Sequence, residues 1–331
     1  MRCAVSYNCV FVIGPTAVGK TAIGVRIADR FSGEIISADS RQVYRGLDIG
    51  TGKDLAEYRF VRADGTVNEI PHHAIDVCDL SVEYSLFDFQ RDFYSAFSSI
   101  TARGKLPVCV GGTGMYVDSI LRRYDMIELP DGFGDRDGLM SKDEDELKAI
   151  LIAEKEKLHN TTEFGDKERM VKAILLNRYS KTEEYAAKKA SLSESLPAVS
   201  PLVIGTTLDR SLVRSRIAGR LRARLDEGLV EEVDSLHRQG WSFRRLESLG
   251  LEYRFVSEYL QGQYGAVGSA DARERLFTLL CTAICQFAKR QETWFRGMER
   301  KGVSITWLPE VPGIEERFRA ASSIIESSLG L

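Results

Sequence analysis

Apolar residues follow two rhythms along the first 125 positions. Residues 10–13 (VFVI), 34–38 (EIISA) and 106–110 (LPVCV) are short, largely apolar runs with the β-branched content of buried strands. Each ends at a residue suited to a turn: Gly14, Asp39 and Gly111-Gly112. Residues 20–31 and 87–102 instead space their apolar side chains three and four apart, as a helix packed on one face does. Strands alternating with helices predict an α/β fold with a parallel sheet flanked by crossover helices. Ligands in such sheets bind beyond the carboxyl ends of the strands. From about 124 to 201 the rhythm changes. A glycine- and aspartate-rich opening, DGFGDRDG, gives way to highly charged helical sequence. This predicts a mostly helical insert at 124–200 between core segments 1–123 and 201–331. After Asp209 the chain reads as helices, with a last strand near 303–308.

Composition narrows the class only a little. The 331 residues are 44% hydrophobic and 28% charged, ordinary for a globular protein. No run approaches about 18 apolar residues, and the short apolar start leads into a glycine loop without a cleavage site. Neither a membrane span nor a leader is expected, which points to the cytoplasm. The six cysteines, Cys3, Cys9, Cys78, Cys109, Cys281 and Cys285, are scattered without the spacing of a zinc site, and read as reduced thiols. The net charge of −3 weighs against nucleic acid as a partner, although binding depends on local patches.

The chemistry starts at residues 14–21, GPTAVGKT, which fit the phosphate loop GxxxxGK[ST] between a strand and a helix. Backbone N–H groups of Gly14, Thr16, Ala17, Val18 and Gly19 can cradle phosphate oxygens, helped by the helix N-terminus. Lys20 adds a positive charge, and the Thr21 hydroxyl can ligate Mg²⁺. Alone, the loop fits an ATP-binding ATPase, a kinase or a switch protein. Those proteins usually carry a second acid at the end of an apolar strand. Here the strand LPVCV ends in GGTG, and the acid at a strand end is Asp39. Its carboxylate suits either a metal ligand or a base acting on a second substrate.

The segments SADSRQVY (37–44), DIGTGK (48–53), PHHAID (71–76), YSLFDFQRD (84–92) and GGTGMY (111–116) resemble the tRNA dimethylallyltransferase (tRNA isopentenyltransferase) family. The likeness continues in order through DKER (166–169), RIAGR (216–220), GLEYR (250–254) and AKRQETWFR (288–296), so it spans about residues 10 to 300. The chain departs from the family pattern at Asp54 and Cys285. No cysteine or histidine follows Cys285, so the zinc finger of eukaryotic relatives is not expected and the likeness is to bacterial-type members.

The resemblance implies a phosphate-loop-type fold. It also implies transfer of a dimethylallyl group from dimethylallyl diphosphate to the exocyclic amine of the adenosine 3′ of the anticodon. Asp39 becomes the general base, while Lys20, Thr113 and Arg220 stabilise the departing diphosphate with Mg²⁺ held through Thr21. Asp39, Ser40, Arg41, Gln42 and Thr113 line the tRNA site, and the insert, with Arg169 and Lys172, clasps the anticodon stem-loop. A monomer without an obligate protein partner is expected. Arg210, Arg214, Arg216, Arg220 and Arg224 have helical spacing that places several on one face. With acids close by, only Arg220 is retained as functional. His72 and His73 read as structural, and Trp294 and Phe295 as packing for a helix end. The alternatives are an adenylate isopentenyltransferase, a small-molecule P-loop kinase and a non-catalytic switch protein.

Overall fold

The computed structural model describes residues 7–62, 64–125, 127–154 and 166–329. Cys3 and the 155–165 stretch of the expected insert lie outside these. The chain forms two compact units, Met1–Tyr124 with Ala198–Leu331, and Asp125–Pro197.

In the first unit the elements before the insertion are β1 (Cys9–Ile13), α1 (Lys20–Arg30), β2 (Gly33–Ala38), β3 (Arg59–Val61), β4 (Val67–Glu69), β5 (His72–His73), α2 (Leu86–Ala102), β6 (Leu106–Gly111) and α3 (Gly114–Leu121). The second unit holds α4 (Arg136–Ser141), α5 (Glu144–Glu154), α6 (Lys167–Tyr179) and α7 (Glu183–Ser195). The first unit resumes with β7 (Pro201–Gly205), α8 (Arg210–Asp226), α9 (Leu229–Arg238), α10 (Phe243–Glu247), α11 (Leu251–Leu260), α12 (Ala270–Arg300), β8 (Thr306–Trp307) and α13 (Ile314–Leu329).

Six strands form one parallel sheet in the order β5-β2-β6-β1-β7-β8. Strand β1 is buried on both faces, which is why its sequence is an unbroken apolar run. Val10 and Val12 join a core with Ile23 and Ile27 of α1 and Ala321 and Ile325 of α13. Phe11, pointing the other way, meets Phe93 of α2 with ring centroids 5.8 Å apart. The strand β7 was not expected from the sequence, yet it pairs with β1 along its whole length. A second apolar core joins α8, α9, α11 and α12. The smaller unit has its own core, built on Leu147, Leu151, Met170 and Ile174.

Several family-like segments also cap or brace the helices they adjoin. Ser85 and Asp88 of YSLFDFQRD form a capping box at the start of α2, and Tyr84 donates its hydroxyl to Asp92 at 2.7 Å. Asp166 of DKER caps α6 by accepting the Arg169 N–H at 2.8 Å. His73 contacts the Glu34 carboxylate at 2.8 Å, in keeping with a structural role. Cys9, Cys78, Cys109, Cys281 and Cys285 are unpaired, and burial pushes the Cys9 and Cys109 thiols up, away from the thiolate. Among the described residues no helix is long and apolar enough to cross a membrane.

Candidate active site

The sheet order brings three loops together. Strands β2, β6 and β1 are neighbours, so Asp39, Thr113 and the 14–21 loop emerge side by side at one edge of the sheet. Asp39, Thr113 and, from the loop, Thr16 line a 580 Å³ cavity whose other walls come from α8, α11, α12 and the turn before α11. That volume suits a small organic ligand. The lining is divided: Thr16, Asp39, Ser40, Thr113 and Arg220 are polar, whereas Leu251, Ile284, Phe287 and Trp294 are apolar.

The loop has the backbone of an anion cradle. Ala17 has φ 64° and Gly19, the residue that caps α1, has φ 84°. Left-handed residues alternating with right-handed ones turn successive N–H groups to one side. A side chain at Gly19 would be strained in this left-handed backbone, and its Cβ, 2.7 Å from Ile314 Cδ1, would also displace that methyl group. Val18 turns its side chain into the core, leaving only its backbone to the loop. Lys20 Nζ donates to the Pro15 carbonyl at 2.6 Å across the loop. Removal from bulk water lowers Lys20 to about 8, with Arg220 pushing the same way and Asp39 opposing. Arg220 donates to Thr16 Oγ1 at 2.5 Å, which fixes its guanidinium over the loop.

Asp39 closes a tight turn. Its Oδ1 accepts the Arg41 N–H at 2.9 Å, and its second oxygen has no hydrogen-bond partner among the described residues. Thr113 ties the two strand ends together: its Oγ1 accepts the Ser40 N–H at 3.0 Å, and its N–H donates to the Ala38 carbonyl at 3.2 Å. Ser40 and Arg41 line the cavity. Gln42 is turned to the fold instead, accepting from Ser37 Oγ at 3.1 Å and donating to the Gly52 carbonyl at 3.3 Å.

The arginines of α8 do not act as one stripe. Arg224 is buried and paired with Glu252 at 3.7 Å, and Arg216 donates to the Pro312 carbonyl at 3.0 Å. Arg210 and Arg214 line a different hollow, leaving Arg220 at the cavity beside the buried Arg224. The cavity is built wholly from the first unit. Arg169 belongs to the second, where its Nε lies 3.1 Å from Asp166.

Two contributors escaped the sequence reading. The Gln291 side chain bridges the loops, accepting the Thr16 N–H at 2.8 Å and donating to the Gly112 carbonyl at 2.8 Å. Trp294, expected to pack a helix end, is instead a cavity wall, although its neighbour Phe295 is fully buried as expected. The Trp294 indole lies so close to Gly114 that a Cβ there would stand 2.3 Å from Cδ1. The glycines of GGTG signal that something presses on that turn, but not what.

For a metal, no cluster of three or more His, Cys, Asp or Glu side chains is present among the described residues. The donors near the loop are oxygens: the Thr21 hydroxyl and the Glu57 carboxylate beside it, whose charge also faces Arg220. So sparse a set fits Mg²⁺, which takes few protein ligands and completes its shell with water and phosphate oxygens.

Comparison with known proteins decides the family. A family model described as "IPP transferase" matches residues 42–298, and one described as "Isopentenyl transferase" matches 7–59. The chain is 47% identical over 302 residues to tRNA dimethylallyltransferase 2 of Treponema denticola, covering 91% of this chain and 96% of that one. The chain belongs to the tRNA dimethylallyltransferase family. Identity to tRNA dimethylallyltransferase 1 of Geotalea uraniireducens is 46%, over 92% of this chain and 93% of the relative. The crystal structure of full-length tRNA isopentenylpyrophosphate transferase from Bacillus halodurans superposes with a TM-score of 0.66 at 28% identity, covering 98% and 97% of the two chains. A eukaryotic dimethylallyltransferase, captured in crystals acting on tRNA, shares the fold with a TM-score of 0.70 at 20% identity, over 97% of this chain and 78% of that one.

Proposed function

We propose that this protein transfers the dimethylallyl group of dimethylallyl diphosphate to the exocyclic amine of the adenosine 3′ of the anticodon in tRNA. It works as a cytoplasmic monomer without an obligate protein partner. The observation that carries the reading is the adjacency of three strand ends. It brings an Asp39 carboxylate oxygen, free of hydrogen-bond partners among the described residues, and the edge of the phosphate loop at Thr16 to one cavity with polar and apolar lining. The polar end suits the diphosphate and the amine, and the apolar wall suits a branched five-carbon chain.

In this mechanism the amine nitrogen bonds to C1 of the dimethylallyl group as the bond from C1 to the diphosphate oxygen breaks. Asp39 takes the amine proton, and the diphosphate leaves with the electron pair. A positioned carboxylate contributes about 10²–10⁴-fold, because the conjugated amine is a poor nucleophile until it loses its proton. Lys20 and Arg220 offset the charge that develops on the leaving group. The Thr113 hydroxyl, whose contact to Ser40 Oγ is long at 3.4 Å, can turn its proton to a phosphate oxygen. Thr21, with Glu57 beside it, would hold Mg²⁺, which supplies further positive charge to the diphosphate when bound.

The adenosine must leave its stack to reach Asp39. Ser40 and Arg41 line its path, with Gln42 shaping the loop behind them. The helical unit, through Arg169 and Lys172, grips the anticodon stem-loop. The test incubates the protein with dimethylallyl diphosphate, Mg²⁺ and either unmodified tRNA or AMP, followed by mass analysis of the nucleosides. Prenylated adenosine from tRNA alone is expected. Product from AMP makes it a nucleotide prenyltransferase, and ATP consumption without prenyl product makes it a kinase.

A further inference from the structure

Beneath the phosphate loop lies a charge that this mechanism does not use. Arg317 of α13 is fully buried at 0% exposure. It lies beyond the 42–298 family match and beyond the reach of the family-like motifs. Its Nη1 donates to the Val18 carbonyl at 2.5 Å and to Thr206 Oγ1 at 3.0 Å. Its Nε approaches the Gly313 carbonyl at 3.4 Å. Nη2 is buried without a hydrogen-bond partner among the described residues, 3.5 Å from where a Cβ on Gly19 would stand. Among those residues no carboxylate pairs with it, and the charge felt most strongly is Arg216, of the same sign.

A buried guanidinium without a counter-ion is costly, and an apolar side chain of similar volume avoids the cost. Two features of the loop give it a use. The first is geometric. In a trans peptide the C=O and N–H point in opposite directions. Holding the Val18 carbonyl against Arg317 therefore turns the Gly19 N–H to the opposite side, where the cradle receives its ligand. The neighbouring Ala17 is in a left-handed conformation that persists only when its surroundings fix it. The second is electrostatic. A diphosphate on the inner side of the loop brings several negative charges close to a guanidinium kept from water, where charges are weakly screened.

We infer that Arg317 is a positioning residue for diphosphate binding: it orients the Val18–Gly19 peptide toward the ligand, and the ligand supplies the counter-charge that Arg317 lacks in the free protein. This rests on the diphosphate reading of the loop given above.

The test titrates inorganic pyrophosphate into the full chain and into Arg317→Met and Arg317→Lys, by calorimetry and by the ligand-induced rise in Tm. The unchanged protein should bind. Arg317→Met should bind at least about tenfold more weakly, as expected when a weakly screened positive charge behind the loop is lost and the Val18–Gly19 peptide is no longer held, with a smaller rise in Tm. Arg317→Lys, which keeps the charge but loses the planar fork, should fall between them. If both variants bind as the unchanged protein does, whatever their ligand-free Tm, Arg317 is merely structural and the inference fails. Should Arg317→Met not fold, undiminished affinity in Arg317→Lys alone overturns it. Absence of binding by the unchanged protein overturns the diphosphate reading, and the inference with it.

Discussion

The Gln291 side chain accepts the backbone N–H of Thr16 at 2.8 Å, so a residue deep in a long helix sets one edge of the phosphate loop. Its amide also donates to the Gly112 carbonyl, which locks the loop to the turn that carries Thr113. Gln291→Leu keeps the volume but strands both backbone groups. An unsatisfied buried polar group costs about 1–3 kcal/mol. Denaturant melts should therefore show a loss of about 2 kcal/mol or more, and pyrophosphate affinity should fall with it. A variant with native affinity would mean that the loop holds its shape without the bridge.

Asp39→Asn separates chemistry from binding. The amide oxygen can still accept the Arg41 N–H, so the turn survives, but the group no longer takes a proton. Turnover should fall about 10²–10⁴-fold, while KM for dimethylallyl diphosphate and pyrophosphate affinity stay near their original values. Single-turnover measurement of prenylated tRNA gives the answer. Loss of affinity together with rate would place Asp39 in the binding of the diphosphate or its metal.

Lys20 gives the site a pH dependence. Burial lowers it to about 8, so the free enzyme loses this charge as pH rises through that value. The charged form is the one that binds an anion. Pyrophosphate affinity should therefore decline above about pH 8, whereas Lys20→Arg, charged throughout, should lack that decline. The ligand's own ionisation affects both proteins, so the difference between the two profiles isolates Lys20. For stability the sign is opposite. A lysine lowered in the folded state opposes folding below about pH 8, and that cost fades as pH rises toward its unfolded value.

The strands that make the site were legible because each is a compact apolar run closed by a turn residue. The phosphate loop was legible because its glycines and lysine have fixed spacing. Strand β7 was not. PLVIG follows a long polar insertion, and nothing local says that it pairs with β1. Helical spacing grouped the arginines of α8, but the partner of each decides its role. Glu252 claims Arg224, the Pro312 carbonyl claims Arg216, and Thr16 claims Arg220. The roles of Gln291 and Arg317 were not legible because the Thr16 and Val18 groups they hold lie 275 and 299 residues away along the chain. The family likeness marked the segments containing Asp39 and Gln291 alike, without separating base from brace.

The contact between Gly114 and Trp294 offers a test of how tightly the cavity wall sets the catalytic turn. A methyl group at 114 stands 2.3 Å from the indole, well inside contact distance, so Gly114→Ala must move either the tryptophan or the turn. Overpacking of this kind costs about 1–3 kcal/mol. If the turn moves, Thr113 leaves Ser40 and turnover drops. If Trp294 moves, the apolar wall opens and KM for the prenyl donor rises instead. Trp294→Ala alone should raise KM, because it removes that wall. Adding it to Gly114→Ala should restore turnover while KM stays high, a non-additive pattern that pairs of touching residues show in double-mutant cycles. Strict additivity in rate and stability would mean that the two positions relax independently, and that the glycine serves the backbone of α3 and not the cavity.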